Sequence, residues 1–225
     1  MSFGTAKLPP LGAPPVRSLL RSPKGLATAL TVLLGLCAAT RVGAVAAGYN
    51  RYLALDALGT SPLVDAGPGW ALYSGSTGLI LLAMLPTAVV FVIWFHRVRV
   101  NAGVSAPGMF RSGAGWAIGV WFIPVIGWTV LPFLLALKMW AASASRLPGS
   151  AGSPVSAAPV TAWAGALGVA MVVSVSANRL GATATTADGM GTSALVGMAA
   201  DLMFAVAAGL AVVFVRRLSA MQSVA

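Results

Sequence analysis

Two charged residues, Arg41 and Asp201, interrupt apolar stretches of this sequence and are the groups best suited to do chemistry there. A charge at mid-depth in a membrane costs about 2.5–3.5 kcal/mol on insertion scales, so it usually has a partner or a task. A carboxylate and a guanidinium at that depth can form a proton or cation relay. They can also form a structural ion pair, and a long arginine side chain can instead reach the headgroup region. The sequence leaves these roles open and favours the structural ones.

Other reactive groups are scarce. The chain has one histidine, His96, and one cysteine, Cys37. The sequence contains no Ser-His-Asp set, His-Glu-x-x-His motif, paired-acid motif or glycine-rich phosphate loop. A single cysteine makes neither an intrachain disulfide nor a metal site. We therefore expect a protein that is not an enzyme, with no catalytic residues, no cofactor and no metal.

Long apolar stretches must position Arg41 and Asp201. Of the 225 residues, 58% are hydrophobic and 8% are charged, whereas soluble domains carry roughly 25% charged residues. The stretches cover residues 26–48, 77–95, 160–178 and 194–215. Each is long enough to cross a hydrocarbon core of ~30 Å as a helix. They predict an all-α fold, a polytopic transmembrane helical bundle that occupies residues 26–217.

The first stretch also resembles a signal peptide, because Ala44-Val45-Ala46 has the form of a cleavage site. The long basic region before it, and Arg41 inside it, favour a retained anchor helix. We expect residues 1–25 to be a disordered, basic tail, since its prolines exclude a stable helix. Residues 147–158 are predicted to be a flexible linker, and residues 218–225 a short C-terminal tail.

A fifth apolar stretch, residues 114–137, is divided by Pro124 and Pro132. If it enters and leaves on one side, eleven basic residues lie on that side and two, Arg51 and Arg179, on the other. If it crosses the membrane, the division becomes eight against five. The positive-inside rule favours the first arrangement, with four full spans, both termini cytoplasmic and a re-entrant or interfacial segment packed on the other helices. A crossing by this long apolar stretch is the alternative.

In the four-span topology the two intramembrane charges share one depth. Arg41 and Asp201 each lie about seven residues, ~10 Å, below the outer boundary. Asp201 belongs to a stripe of small residues that includes Gly197 and Gly209, a pattern typical of helix–helix contact faces. We therefore predict an Arg41–Asp201 ion pair if the first and last spans are neighbours.

Basic residues cluster at the inner boundary, where Arg97, Arg99, Arg111 and Lys138 are candidate contacts for anionic lipid headgroups or an acidic partner. Topology signalling explains the same residues. The net charge of +10 does not indicate nucleic-acid binding, because no basic helix or RNA-binding aromatic pattern accompanies it. The expected partners are the lipid bilayer, anionic lipids, and a partner protein or a second copy of the chain.

The order of Trp, Pro and Arg residues in the middle of the chain resembles a family of bacterial, mostly actinobacterial, membrane proteins called the domain of unknown function 4328. The resemblance rests on Trp94, Arg97, Asn101, Trp116, Trp121, Phe122, Pro124, Pro132 and Trp140. That family has no established activity, so the resemblance implies a layout and no mechanism. In such proteins the part after the first proline is often more polar and interfacial, whereas residues 125–137 here are uncharged.

Together these observations predict a non-enzymatic integral protein of the bacterial cell membrane that acts through lipid or protein contacts. The alternative is a small ion-coupled transporter or channel that uses the broken segment with Arg41 and Asp201, because broken helices and buried charges occur at transport sites. The sequence shows no internal repeat, which counts against a typical secondary transporter.

Overall fold

Six α-helices make up most of the part of the chain that the structure describes. The structure, a computed structural model, describes residues 20–62, 69–123, 126–145 and 155–223, with the backbone alone at 126–129. The helices are α1 (Lys24–Asp56), α2 (Trp70–Ser105), α3 (Trp116–Gly119), α4 (Ile126–Ala144), α5 (Ala158–Thr183) and α6 (Ala187–Ser223). These ranges contain no β-strand beyond one isolated bridge between Pro62 and Thr186. The all-α prediction is therefore confirmed.

Four of the helices, α1, α2, α5 and α6, are long and apolar enough to cross a membrane. They contain 33, 36, 26 and 37 residues, and ~20 residues suffice for the hydrocarbon core. The helical bundle with four full spans, predicted from hydropathy, is confirmed. Each helix extends beyond its apolar stretch, because a helix keeps its backbone hydrogen bonds after it leaves the hydrocarbon region.

Helical structure also occupies segments that the sequence assigned to tails. Helix α1 begins at Lys24, inside the predicted disordered tail. Helix α6 continues to Ser223, and Gln222 in its last turn is buried. The prediction of a short tail from residue 218 is therefore wrong. Residues 1–19 and 146–154, which include most of the predicted basic tail and linker, lie outside the described residues.

The four long helices pack in the order α2, α1, α6, α5, so the first and last spans are neighbours. Their loops are joined at one end of the bundle, where the Ala187 and Asp188 amides donate to the Ser61 and Gly59 carbonyls at 3.1 and 3.0 Å. Gly69 starts α2 at a φ of 74°, and a Cβ there would lie 2.9 Å from the Arg51 Cα. Only glycine fits this close approach without strain.

The broken segment bends before its first proline. Val120–Phe122 forms a 3-10 turn, and Ile123 then adopts an extended conformation with φ −85° and ψ 115°. Proline pushes the residue before it towards this region, which explains a break at this point. Pro124 itself lies outside the described residues. Pro132 lies inside α4 without ending it, so the prediction that both prolines divide the segment is wrong for Pro132.

Both ends of the broken segment lie at the same end of the bundle. Before α3, the Ser112 carbonyl accepts a hydrogen bond from Arg99 Nη2 at 2.6 Å. After the break, Ser143 Oγ near the end of α4 accepts one from Gln222 Nε2, which also donates to the Val98 carbonyl at 3.1 Å. Since Val98 and Arg99 are adjacent on α2, the segment enters and leaves at one end.

An aromatic cluster joins the broken segment to the long helices. Phe91 on α2 is its centre, with ring centroids 5.5 Å from Trp121 and 5.8 Å from Trp163 on α5. Phe214 on α6 stacks on Trp163 at 5.1 Å and meets Trp94 edge-on at 5.5 Å. Edge-to-face and offset ring pairs are favoured geometries. The half of the bundle nearer the two ends of the broken segment is therefore a packed core.

Candidate functional site

The structure brings Arg41 and Asp201 together. Arg41 Nη1 donates to Asp201 Oδ1 at 2.7 Å, and the two side chains are 22% and 14% exposed. The guanidinium also lies over the Phe204 ring, 4.3 Å from its centroid. Each contact offsets part of the cost of holding charge at membrane depth. This is the one ion pair between side chains in the described part of the chain.

The stripe of small residues around Asp201 does not form one contact face. A Cβ at Gly197 would lie 4.0 Å from Ala177 on α5, whereas a Cβ at Gly209 would meet no atom within 4 Å. Residues four apart advance by more than one helical turn, so the stripe rotates ~40° at each step. The face that packs on the other helices carries Ala200, Ala207 and Ala211 instead.

A groove of about 310 Å³ lies beside the ion pair. Its walls come from α2 and α5, and its floor from α1 and α6. The residues that line it include Leu34, Cys37, Thr40, Arg41, Ile80, Met84, Thr87, Leu167, Met171, Phe204 and Ala208. The lining is mainly apolar, and its polar groups belong to Cys37, Thr40, Arg41 and Thr87. Concave, largely apolar sites with a few placed polar groups are typical of small-molecule binding.

The hydroxyl groups in the groove already have partners. Thr87 Oγ1 donates to the Ala83 carbonyl at 2.7 Å and lies 3.2 Å from Cys37 Sγ. Thr40 Oγ1 donates to the Cys37 carbonyl at 2.9 Å. These hydroxyl protons are used within the helices, so the groove presents an apolar surface that ends at the Arg41–Asp201 ion pair.

The groove closes towards the end of the bundle where the broken segment enters and leaves. Phe91 and Trp163 bring α2 and α5 together there, and Trp121 packs edge-on against Phe91 and Phe95. Towards the opposite end Met84 remains 44% exposed. The broken segment therefore fills the space between α2 and α5 at its own end of the bundle and leaves the rest of that space as the groove.

Several residues of the family motif hold the broken segment in place. Trp94 Nε1 donates to Ser219 Oγ at 2.9 Å. Asn101 Nδ2 donates to Gln222 Oε1 at 3.1 Å and to the Arg21 carbonyl at 2.9 Å. Trp140 is buried in the core. These contacts connect α2, α6 and the residues before α1 around the end of α4.

The remaining motif residues face other environments. Phe122 and Trp116 are 77% and 45% exposed, so these rings point out of the bundle. Pro132 is buried within α4, and Arg97 is half-buried. Pro124 lies outside the described residues.

The four basic residues predicted as headgroup contacts do not form one site. Arg99 is buried, with its guanidinium 3.7 Å above the Phe110 ring, and it stabilises the loop before α3. Arg111 and Lys138 are exposed, and Arg97 is partly so. Three of the four are therefore accessible at the surface of the protein, whereas the Arg99 side chain is held within it.

Sequence reasoning missed two parts of this arrangement. Gln222 was assigned to a tail, although Leu218 and Met221 continue the apolar sequence of α6 beyond Arg217, and Leu218, Met221 and Gln222 are all buried. Thr87 lies in the groove because α2 and α5 are separated there, and no local pattern marks that separation.

Most of the helices described above lie within a part of the chain that matches a known protein family. The family described as Domain of unknown function (DUF4328) matches residues 66–220. No curated protein and no solved structure matches the chain. The matched range runs from before α2 to the last turns of α6, more than half of the chain, and it includes the broken segment with its motif. The chain therefore belongs to the DUF4328 family.

Proposed function

We propose that this protein is a non-enzymatic integral protein of the bacterial cell membrane, with both termini cytoplasmic, that acts by holding a membrane lipid chain in the groove between α2 and α5. The observation that carries the proposal is the groove itself. It is about 310 Å³ in volume, largely apolar, and lies within the span of the transmembrane helices. A hydrocarbon chain matches those walls, and a polar group on it would meet the Arg41 end.

The ion pair supports lipid binding over ion transport. A relay carboxylate must release its proton or cation, whereas Asp201 is held by Arg41 at 2.7 Å. The hydroxyls of the groove are likewise bonded within their own helices. The groove therefore offers a hydrated ion few groups that could replace its water.

Photocrosslinking tests the proposal. The purified full-length protein is placed in bilayer discs that contain phosphatidylcholine with a diazirine on one acyl chain. Irradiation is expected to label peptides that line the groove, such as those containing Met84 and Met171. Ala208→Phe fills the groove and should reduce this labelling several-fold. Val206→Phe is the matched control on the exposed face of α6 and should leave labelling unchanged.

Two outcomes would contradict the proposal. Labelling spread evenly over all exposed helix faces would show that the groove has no preference for a lipid chain. A proton or cation flux in proteoliposomes that disappears in Asp201→Asn would support the transporter instead.

A further inference from the structure

A second cavity, of about 380 Å³, lies at the basic end of the bundle on the other face of the α1–α6 pair. One cation comes from each helix, Lys24 in the first turn of α1 and Arg216 on α6. Thr28 and Ser223 contribute hydroxyls, and Val32 closes the deeper side. None of these residues lines the groove between α2 and α5, so this cavity is a separate feature of the molecule.

The two cations of this cavity have no partner in the described part of the chain. The one ion pair there is between Arg41 and Asp201, and the side chains of Lys24 and Arg216 make no hydrogen bond to described residues. The other described aspartates, Asp56 and Asp188, lie at the opposite end of the bundle. Among the described residues, therefore, two cations share this cavity with no carboxylate beside them, and such a site attracts an anion.

The Thr28 and Ser223 hydroxyl groups at the cavity already donate their protons within their own helices. Thr28 Oγ1 donates to the Lys24 carbonyl at 3.1 Å, and Ser223 Oγ donates to the Ala220 carbonyl at 2.9 Å. Ser219 Oγ accepts the Trp94 indole N–H. Recognition of an anion therefore falls mainly to the ammonium and guanidinium groups.

The surroundings distinguish a lipid from a free anion. Val32 lies about 12 Å further along α1 than Lys24, in the direction of the membrane interior. It is 68% exposed, and Leu36, one turn further on the same face, is 50% exposed. An exposed apolar track thus leads away from the cationic cavity. A charged headgroup followed by acyl chains matches both parts, whereas a free phosphate matches the cations alone.

We propose that this cavity binds the phosphate headgroup of an anionic phospholipid in the leaflet at the basic end of the bundle, with an acyl chain along Val32 and Leu36. Basic pockets between transmembrane helices on the cytoplasmic side commonly bind such headgroups. A lipid bound in this cavity would contact both α1 and α6 and so stabilise the packing of the first span on the last.

Lipid titration of the purified full-length protein tests this inference. Phosphatidylglycerol is expected to raise the melting temperature in detergent more than phosphatidylcholine does. Lys24→Gln and Arg216→Gln should each weaken phosphatidylglycerol binding about fivefold, as expected for loss of one basic residue near an anionic surface. Arg217→Gln is the matched control, since Arg217 is exposed, adjacent to Arg216 and outside the cavity.

A variant that fills the cavity but keeps Lys24 and Arg216 tests whether the shape of the cavity contributes to lipid binding in addition to its charge. Ala220 lines the cavity and is exposed, so Ala220→Phe should fill the cavity and weaken phosphatidylglycerol binding without lowering stability in phosphatidylcholine. Equal effects of the two lipids would overturn the proposal, as would equal losses in Arg217→Gln and Arg216→Gln. Stabilisation by inorganic phosphate or glycerol phosphate to the same extent as by phosphatidylglycerol would assign the cavity to a free anion and also overturn it.

Discussion

The Arg41 guanidinium makes two contacts at once within the membrane-spanning part of the bundle. It forms the ion pair with Asp201 at 2.7 Å and lies 4.3 Å above the centre of the Phe204 ring. Asp201 and Phe204 are both on α6, so one side chain of α1 is held by two residues of its neighbour. Removal of either charge would leave the other desolvated and unpaired, which is the costly outcome for a buried pair.

A double-mutant cycle tests this dependence. Arg41→Ala and Asp201→Ala should each lower the free energy of unfolding in detergent, and the double substitution should cost less than the sum of the two. We expect a coupling energy of about 0.5–3 kcal/mol, the range found for residues in direct contact. The control cycle pairs Arg41→Ala with Asp188→Ala, because Asp188 is exposed and lies in the first turn of α6. Additive losses in the Arg41–Asp201 cycle would show that the contact contributes nothing to stability.

The depth of a residue along its helix was predictable from the sequence, whereas the side of the helix on which it makes contacts was not. Arg41 and Asp201 could be placed at one depth by counting residues from the ends of two apolar stretches. The stripe through Gly197 and Gly209 failed because a four-residue spacing drifts around the helix. The groove residue Thr87 could not be found, since the separation of α2 and α5 depends on the order in which all four long helices pack.

At the scale of elements, the broken segment is held by polar contacts at its end and by aromatic packing at its turn. Gln222 connects α6 to α4 and α2, with hydrogen bonds to Ser143 Oγ on α4 and to the Val98 carbonyl and Asn101 on α2. Trp121 packs against Phe91 near the break. Backbone that departs from a helix at membrane depth needs protein beside it, and Trp121 provides such packing on the side of the break that faces α2.

Replacement of Gln222 should therefore loosen α4. Gln222→Ala leaves the side chains of Ser143 and Asn101 without this partner in a buried site, so we expect a loss of about 1–3 kcal/mol of unfolding free energy. In a Cys37→Ala background, the buried position Ala142→Cys should react with a soluble maleimide faster when Gln222→Ala is added. Ser223→Ala is the control, since its hydroxyl bonds only within its own turn. Unchanged reactivity at position 142 would show that Gln222 does not hold the segment.

The break in the segment at 114–137 was predictable from the sequence because a proline, Pro124, lies there. A proline restricts the residue before it, and Ile123 adopts the extended conformation expected there. Pro132 carries the same signal but remains inside α4. Helices in membrane proteins tolerate such prolines when neighbouring groups satisfy the freed carbonyl. A proline therefore marks a possible break, and tertiary packing decides whether the helix ends.

At the scale of the whole molecule, charge divides the bundle into two ends. The end that holds the broken segment's termini also carries Lys24, Arg97 and Arg216, while Asp56 and Asp188 lie at the other end. The distribution of basic residues alone separated four spans from five, because a crossing at 114–137 would move the basic residues after it to the opposite side. The distribution of charge does not depend on which side chains fill the core. It therefore predicts the layout of the helices better than the contacts between them.

Cysteine labelling tests the orientation of the whole chain. In a Cys37→Ala background, single cysteines at the exposed positions Thr60, Met109, Ser145 and Asp188 report which side of the membrane each loop faces. We expect Met109→Cys and Ser145→Cys to react with a membrane-impermeant maleimide only after cell lysis, because both flank the broken segment at the basic end of the bundle, which faces the cytoplasm in the proposed orientation. Thr60→Cys and Asp188→Cys should react in intact cells. Reaction of Ser145→Cys in intact cells, with Met109→Cys protected, would instead require residues 114–137 to cross the membrane. The helix order and the shared end of the broken segment would then both be wrong.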